Sequence, residues 1–217
     1  MQNGAQLRNV HSDRISLCLI DQKGRCHSIS ERLGQNDPDA GATSVTADLT
    51  TDWPRATYDA LRAADVRHMA YVPDAGHSTL IRLLEADGAV VSNVLTSEEE
   101  GIAIACGSWL GGTRSVVLMQ SSGVGNCINM LSLPVQARIP LLILVTMRGE
   151  WDEFNPWQVP MGRATEAALT AIGVTVHRAE TGEDVVATVE QAARMAFESD
   201  QQVAVLIGQR LLGKKKW

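Results

Sequence analysis

Three segments of this 217-residue chain carry residue types whose spacing could do chemistry. In Thr96-Ser97-Glu98-Glu99-Glu100-Gly101, three carboxylates lead straight into the apolar stretch Ile102 to Cys106. Ser97 suits a helix N-cap, Glu100 stands at the spacing of a capping box, and carboxylates favour a helix N-terminus. That accounts for Ser97, Glu100 and one further acid, but not for three. Glu99 shares a helical face with Ile102, Ala103, Cys106 and Leu110. A carboxyl drawn onto such a face leaves water, and desolvation raises its pKa, as happens to proton-trading groups at functional sites.

The second segment is Gln120-Ser121-Ser122-Gly123-Val124-Gly125-Asn126, which follows an apolar run. A glycine loop there could present backbone N–H groups to a phosphate, or simply make a tight turn. Ile128 stands where the dinucleotide fingerprint has its third glycine, and no Lys-Ser/Thr pair completes a P-loop. The third segment runs from Met147 to Arg163 and holds Trp151, Phe154 and Trp157, which need a surface to cover in this chain or in a partner. Arg148 and Arg163 bracket it, and each could grip an oxyanion with a two-pronged hydrogen bond or form a surface ion pair. His77 could titrate near neutrality or serve only as a helix-entry residue. Cys18, Cys26, Cys106 and Cys127 form no C-x-x-C pair, and the five histidines no H-E-x-x-H, so no protein-held metal is expected. Ser121, Ser122 and Cys127 lack a G-x-S-x-G setting.

The elements that must position these segments follow from composition and pattern. Apolar residues at 45% and charged residues at 20% suit a chain that buries a core, and aromatics at 4% make that core aliphatic. A net charge of −6 argues against a general nucleic-acid binder, and Lys214-Lys215-Lys216 reads as a solvated tail. No apolar run approaches the roughly 18–20 residues of a membrane span, and no signal-peptide core is visible; a soluble, cytoplasmic protein is expected. Residues 1–52 read as a poorly ordered extension, with an edge strand around Ile15 to Ile20 as the alternative. Residues 53–212 form the expected domain and 213–217 a basic tail. In that domain strands near 69–72, 89–95, 115–120, 141–145, 174–176 and 203–207 alternate with helices over 53–64, 78–85, 97–110, 126–137 and 183–198. This pattern predicts an α/β fold, an open three-layer α/β/α sandwich with a mostly parallel sheet. Right-handed crossovers then bring the loops 73–78, 96–100, 121–126 and 146–163 to the sheet's carboxyl edge, where ligands bind in such folds.

Taken in order, Thr96 to Gly101, Leu118 to Asn126 and Pro160-Met161-Gly162-Arg163-Ala164-Thr165 resemble the alpha subunit of sulfopyruvate decarboxylase and the related phosphonopyruvate decarboxylases, over about residues 54 to 210. Both are thiamine-diphosphate-dependent 2-oxo acid decarboxylases. The resemblance implies a domain that holds the cofactor's aminopyrimidine ring. It implies a carboxyl that hydrogen-bonds the pyrimidine N1′ and helps remove the thiazolium C2 proton. By its offset from Gly101 that carboxyl is assigned to Glu99, in preference to Glu98 or Glu100. Ser122, Gly123, Gly125 and Asn126 become cofactor-binding candidates beside it. The implied substrate is sulfopyruvate or phosphonopyruvate, giving the acetaldehyde and CO₂, with His77, Arg148 and Arg163 as candidates for the second anionic group. The family's Gly-Asp-Gly motif is absent from this chain. The resemblance therefore implies a separate beta subunit that supplies the diphosphate site and the Mg²⁺ ligands, in a hetero-oligomer. Two other classes stay open: a nucleotide- or dinucleotide-binding domain using Gly123-Val124-Gly125, and a non-catalytic structural subunit.

Overall fold

The computed structural model describes the backbone of residues 17–20 and 26–29, and residues 52–213 in full. Met1–Val45 and Thr46–Trp217 are separate units. In the first, Leu17–Ile20 (β1) and Cys26–Ile29 (β2) pair antiparallel. Most of the extension expected over 1–52, and Lys214 to Trp217 of the basic tail, lie outside the described residues.

The second unit alternates helix and strand. Trp53–Ala63 (α1) opens with Asp52 accepting a hydrogen bond from the Arg55 N–H at 3.3 Å and with Pro54 in the first turn, where its missing donor costs nothing. There follow Val66–Tyr71 (β3), Ser78–Ala86 (α2), Val91–Val94 (β4), Glu98–Leu110 (α3) and Arg114–Gln120 (β5). Next come Ser121–Cys127 (α4), Ser132–Ala137 (α5), Leu141–Thr146 (β6) and Gln158–Ala171 (α6). The unit ends with Thr175–Ala179 (β7), Gly182–Ser199 (α7), Gln202–Ile207 (β8) and Gln209–Leu212 (α8). Thr181 and Asp184 form a reciprocal capping box at the start of α7.

The six strands β3 to β8 lie side by side in the order β4-β3-β5-β6-β8-β7, every pair parallel. Burial on both faces explains why β6 and β8 are apolar without alternation. Val116, Leu118, Leu144 and Val205 face one layer with Leu61, Leu80 and Val189 of α1, α2 and α7. Val117, Ile143 and Leu206 face the other, with Ile102, Val124 and Leu169 of α3, α4 and α6. This is the expected three-layer sandwich. Among the described residues no helix is long and apolar enough to cross a membrane.

Two departures from the sequence reading shape the site. The Ser121 to Gly125 loop does not exist: helix α4 starts at Ser121, immediately after β5, and the helix expected over 126–137 is two helices, α4 and α5. The long segment 146–163 is also shorter than expected, because α6 begins at Gln158. Pro156 and Pro160 disguised that start, but a proline in the first turn of a helix is tolerated. Close backbone approach then fixes where α6 sits. A Cβ added at Gly162 would stand 2.1 Å from the Arg148 carbonyl oxygen and 3.1 Å from the Gly149 Cα. Backbone cannot swing aside as a side-chain tip can, so Gly162→Ala is expected to cost about 1–3 kcal/mol in spite of alanine's better helix propensity. Urea unfolding measures this; equal or higher stability would show that α6 has room to lift.

Candidate active site

The helices that follow β4 and β5 meet above the strand tips. Gly123 of α4 is buried, and a Cβ there would lie 2.3 Å from both Cδ and Oε1 of Glu98. The Glu98 carboxyl, half-buried, therefore rests against the backbone of α4. Asn126 donates through Nδ2 to Glu98 Oε2 at 2.8 Å. Gly125, exposed about half a turn further on, faces Met161, whose Sδ would stand 3.3 Å from a Cβ at that position. Ser122 Oγ donates instead to Gln120 Oε1 at 3.0 Å. Of the four cofactor candidates in this segment, Gly123 and Asn126 are the two brought to a carboxyl. That carboxyl belongs to Glu98.

Glu99 is exposed, contrary to the expectation that its face would be buried. The face assigned to it includes Ala103 and Leu110, and both are exposed, Leu110 at 77%. The buried stripe of α3 is Gly101, Ile102, Ala105 and Cys106, and Glu98 stands at its head. One residue turns a helix by about 100°, and because apolar side chains occur on every side of α3, periodicity could not choose between the two acids. The expected capping box is not formed: Glu100 Oε2 accepts from the Thr96 N–H at 3.0 Å rather than from Ser97, and Ser97 caps by position without a side-chain hydrogen bond.

Beside this pair runs a set of polar groups that the sequence reading missed. Asp74, in the loop after β3, accepts from Gln120 Nε2 at 2.9 Å, Thr146 Oγ1 at 2.5 Å and the Gly76 N–H at 3.2 Å. Gln120 and Thr146 are register partners at the ends of β5 and β6. A polar residue closing each of two adjacent apolar strands was the available signal. Asp74, Gly76, Thr146, Arg148 and Gln209 line a cavity of about 110 Å³.

The three candidates for an anion site are not brought together. His77 is completely buried, and its Nε2–H donates to the Leu144 carbonyl at 3.1 Å, leaving Nδ1 without a partner. Burial holds its pKa below the usual 6.5, so it is a neutral core residue rather than an anion ligand. Arg148 is buried in a two-pronged pair with Glu153, Nε to Oε2 at 2.6 Å and Nη2 to Oε1 at 2.5 Å, which already uses its charge. Arg163 is exposed on α6, beside a separate open hollow shared with Glu150, Glu166 and Arg178. Two further expectations change with the geometry. Gly123-Val124-Gly125 is helical with a carboxylate against it, which is unsuited to cradling a phosphate. Cys127 has its thiol pushed up to about 12, first by burial and then by Glu98 and Glu99, which makes it a poor nucleophile. Among the described residues no cluster of three or more His, Cys, Asp or Glu could hold a metal ion.

The buried ionisable groups predict a two-stage acid response. His77 is deprotonated in the fold but binds a proton when unfolded, so its contribution is intact above about pH 6.5 and is lost as pH falls through its folded value. Glu153 is lowered from 4.5 to about 2, chiefly by the Arg148 hydrogen bonds; its contribution is intact above pH 4.5 and lost as pH falls toward 2. Unfolding free energy measured from pH 8 to pH 3 should show both stages. His77→Gln should flatten the first. Glu153→Gln, which leaves a buried guanidinium without its counter-charge, should cost about 3 kcal/mol at neutral pH.

No family model matches the chain. It is 33% identical over 152 residues to the sulfopyruvate decarboxylase subunit alpha of Methanocaldococcus jannaschii, a match that covers 70% of this chain and 90% of that one. It is 40% identical over 107 residues to a phosphonopyruvate decarboxylase of Streptomyces hygroscopicus, covering 48% of this chain and 27% of the relative. Among solved structures, the 2-oxoglutarate:ferredoxin oxidoreductase from Magnetococcus marinus superposes with a TM-score of 0.62 at 15% identity, over 74% of this chain and 29% of that one, which shows a shared fold. With a relative matched over nine-tenths of its length, this chain belongs to the family of sulfopyruvate decarboxylase alpha subunits.

Proposed function

We propose that this chain is the pyrimidine-domain subunit of a thiamine-diphosphate-dependent 2-oxo acid decarboxylase that converts sulfopyruvate or phosphonopyruvate to the corresponding acetaldehyde and CO₂, and that Glu98 is its proton-handling carboxyl. One observation carries the choice of residue: the Glu98 carboxyl is laid over the bare backbone of Gly123 at the carboxyl edge, while Glu99 points into solvent. A Cβ at Gly123 would fill that space, so the residues present fit a carboxyl held against one rim of a planar ring. When bound, thiamine diphosphate supplies the electron sink that accepts the pair left by departing CO₂. Glu98 would exchange a proton with the bound ring, Gly123 gives its carboxyl a flat support, and Ser122 and Gln120 continue the polar rim toward Asp74. Glu99 keeps its place at the site's mouth without a part in the proton transfer.

A companion chain completes the site in this reading and brings the diphosphate pocket with its Mg²⁺. Support comes from the relatives. Proteins named subunit alpha match this chain over nearly their whole length, whereas the phosphonopyruvate decarboxylase extends far beyond the matched stretch. Covering the edge with a second polypeptide would keep solvent away from the Glu98 carboxyl.

Steady-state decarboxylation of sulfopyruvate and phosphonopyruvate tests the assignment. The chain alone, with thiamine diphosphate and Mg²⁺, is expected to be inactive, and the assembled complex active. In the complex, Glu98→Gln should lower kcat/KM by about 10²-fold or more, as for a lost general acid–base group, and Glu99→Gln should change it only a few-fold. The reverse order of effects would return the role to Glu99; no effect of either would leave a structural subunit.

A further inference from the structure

We infer that Asn126 is a positioning residue for Glu98, fixing one carboxyl oxygen so that the other is presented in a single orientation. The inference rests on the function proposed above, and it changes the part expected of Asn126 from cofactor ligand to clamp. The geometry is specific. Asn126 Nδ2 takes Oε2 at 2.8 Å, a charge-assisted distance, and Oε1 lies over Gly123. Two structural facts make this more than a chance surface contact. Asn126 is exposed, and hydrogen bonds between exposed polar groups contribute little to folding, so stability alone does not account for the pair. Gly123 and Gly125 stand two residues apart in the seven-residue α4, although glycine is the weakest helix former after proline. The space left at Gly123 is the space the Glu98 carboxyl occupies.

The neighbouring acids do not hold Glu98 in place. Glu98, Glu99 and Glu100 share the first turn of α3, where successive side chains leave the helix about 100° apart. Glu100 is tied back to the Thr96 N–H and Glu99 is exposed. A glutamate on a surface helix samples several rotamers, whereas proton transfer needs the reacting oxygen held within a fraction of an ångström of its working position. The Asn126 carboxamide removes that freedom and draws Glu98 toward α4. Once a partner covers the edge and excludes water, the same hydrogen bond becomes stronger.

The test uses the complex assembled with its companion chain and compares Asn126→Asp, Asn126→Ala and Glu98→Gln. Asp keeps the shape of Asn but cannot donate; Ala removes the donor without adding charge. Three quantities are measured: kcat and KM separately, the rate of hydrogen–deuterium exchange at C2 of bound thiamine diphosphate, and the Tm of the chain. Both Asn126 variants are expected to lower kcat about 10- to 100-fold, the order of loss for a misplaced reacting group, with KM altered less than about 3-fold. C2 exchange should slow by the same factor, while Tm moves by no more than about 2 °C. A merely structural Asn126 would lower Tm and leave exchange at the wild-type rate, and that result overturns the inference. Normal exchange in Asn126→Ala beside slow exchange in Asn126→Asp would also overturn it, since repulsion by the new charge would then be the whole effect. Glu98→Gln separates the two levels: slow exchange there with normal exchange in both Asn126 variants removes the clamp and keeps the function, and normal exchange in Glu98→Gln removes both.

Discussion

A carboxylate at the head of a largely apolar helix must place its charge outside the core, and in this chain the contact between Glu98 and the bare Cα of Gly123 decides where. Parallel strands bring the N-termini of α3, α4 and α6 to one edge, but that alone leaves side chains room to splay. Glycines remove the room. At Gly101 a Cβ would meet Leu95 and Val117 within 3 Å, so α3 lies close on the sheet. At Gly123 the missing Cβ lets the Glu98 carboxyl come down onto α4, and at Gly162 it lets α6 close on Arg148. The edge is thus assembled by three close approaches, and the position of the carboxyl is a consequence of them.

The neighbouring aromatic segment is held by a different means. Arg148 sits where its guanidinium is nearly lost from water, and a buried charge of that kind persists only with a partner. Glu153 supplies it, and Gln209 then ties the same carboxylate to the start of α8 through Nε2 at 2.8 Å. Gln209 Oε1 also accepts from the N–H groups of Glu150 and Trp151 at 2.9 and 3.0 Å. The base of the segment is fixed while Trp157 remains 82% exposed. An arginine so engaged stabilises a loop and has no fork left for a substrate.

The sheet, its parallel sense and the edge at which the site lies were legible because β5, β6 and β8 are apolar without alternation and the intervening segments have helical spacing. The segment of three acids was legible, but which of them packs against α4 was not. The capping spacing singles out Glu100 and the offset from Gly101 points to Glu99, while in α3 no amphipathic pattern ranks Glu99 against Glu98; packing against Val117 and Gly123 does. The pairing of Arg148 and the burial of His77 were hidden for a related reason. A basic residue type in an edge loop says that a charge is available, not whether it is already paired, and Glu153 lies five residues away with nothing in the pattern to couple it to Arg148. Helix α6 was hidden by Pro156 and Pro160, which read as loop until one allows for a proline in a first turn.

Charge at this edge also bears on what it can receive. Asp74, Glu98, Glu99 and Glu100 put four carboxylates around the tips of β3, β4 and β5. Arg148, the nearby basic side chain that lines the cavity, is neutralised by Glu153. Such a field favours a cation and opposes a dianion. Under the proposed function the cationic thiazolium suits it, and the substrate, with its carboxylate and its sulfonate or phosphonate, does not. Recognition of the substrate's second anion therefore falls to basic groups that approach from outside this cluster. Under that proposal a site divided in this way needs both halves: the subunit described here would contribute the proton-handling carboxyl and the negative field, and the charge that balances the substrate would arrive with whatever closes the edge.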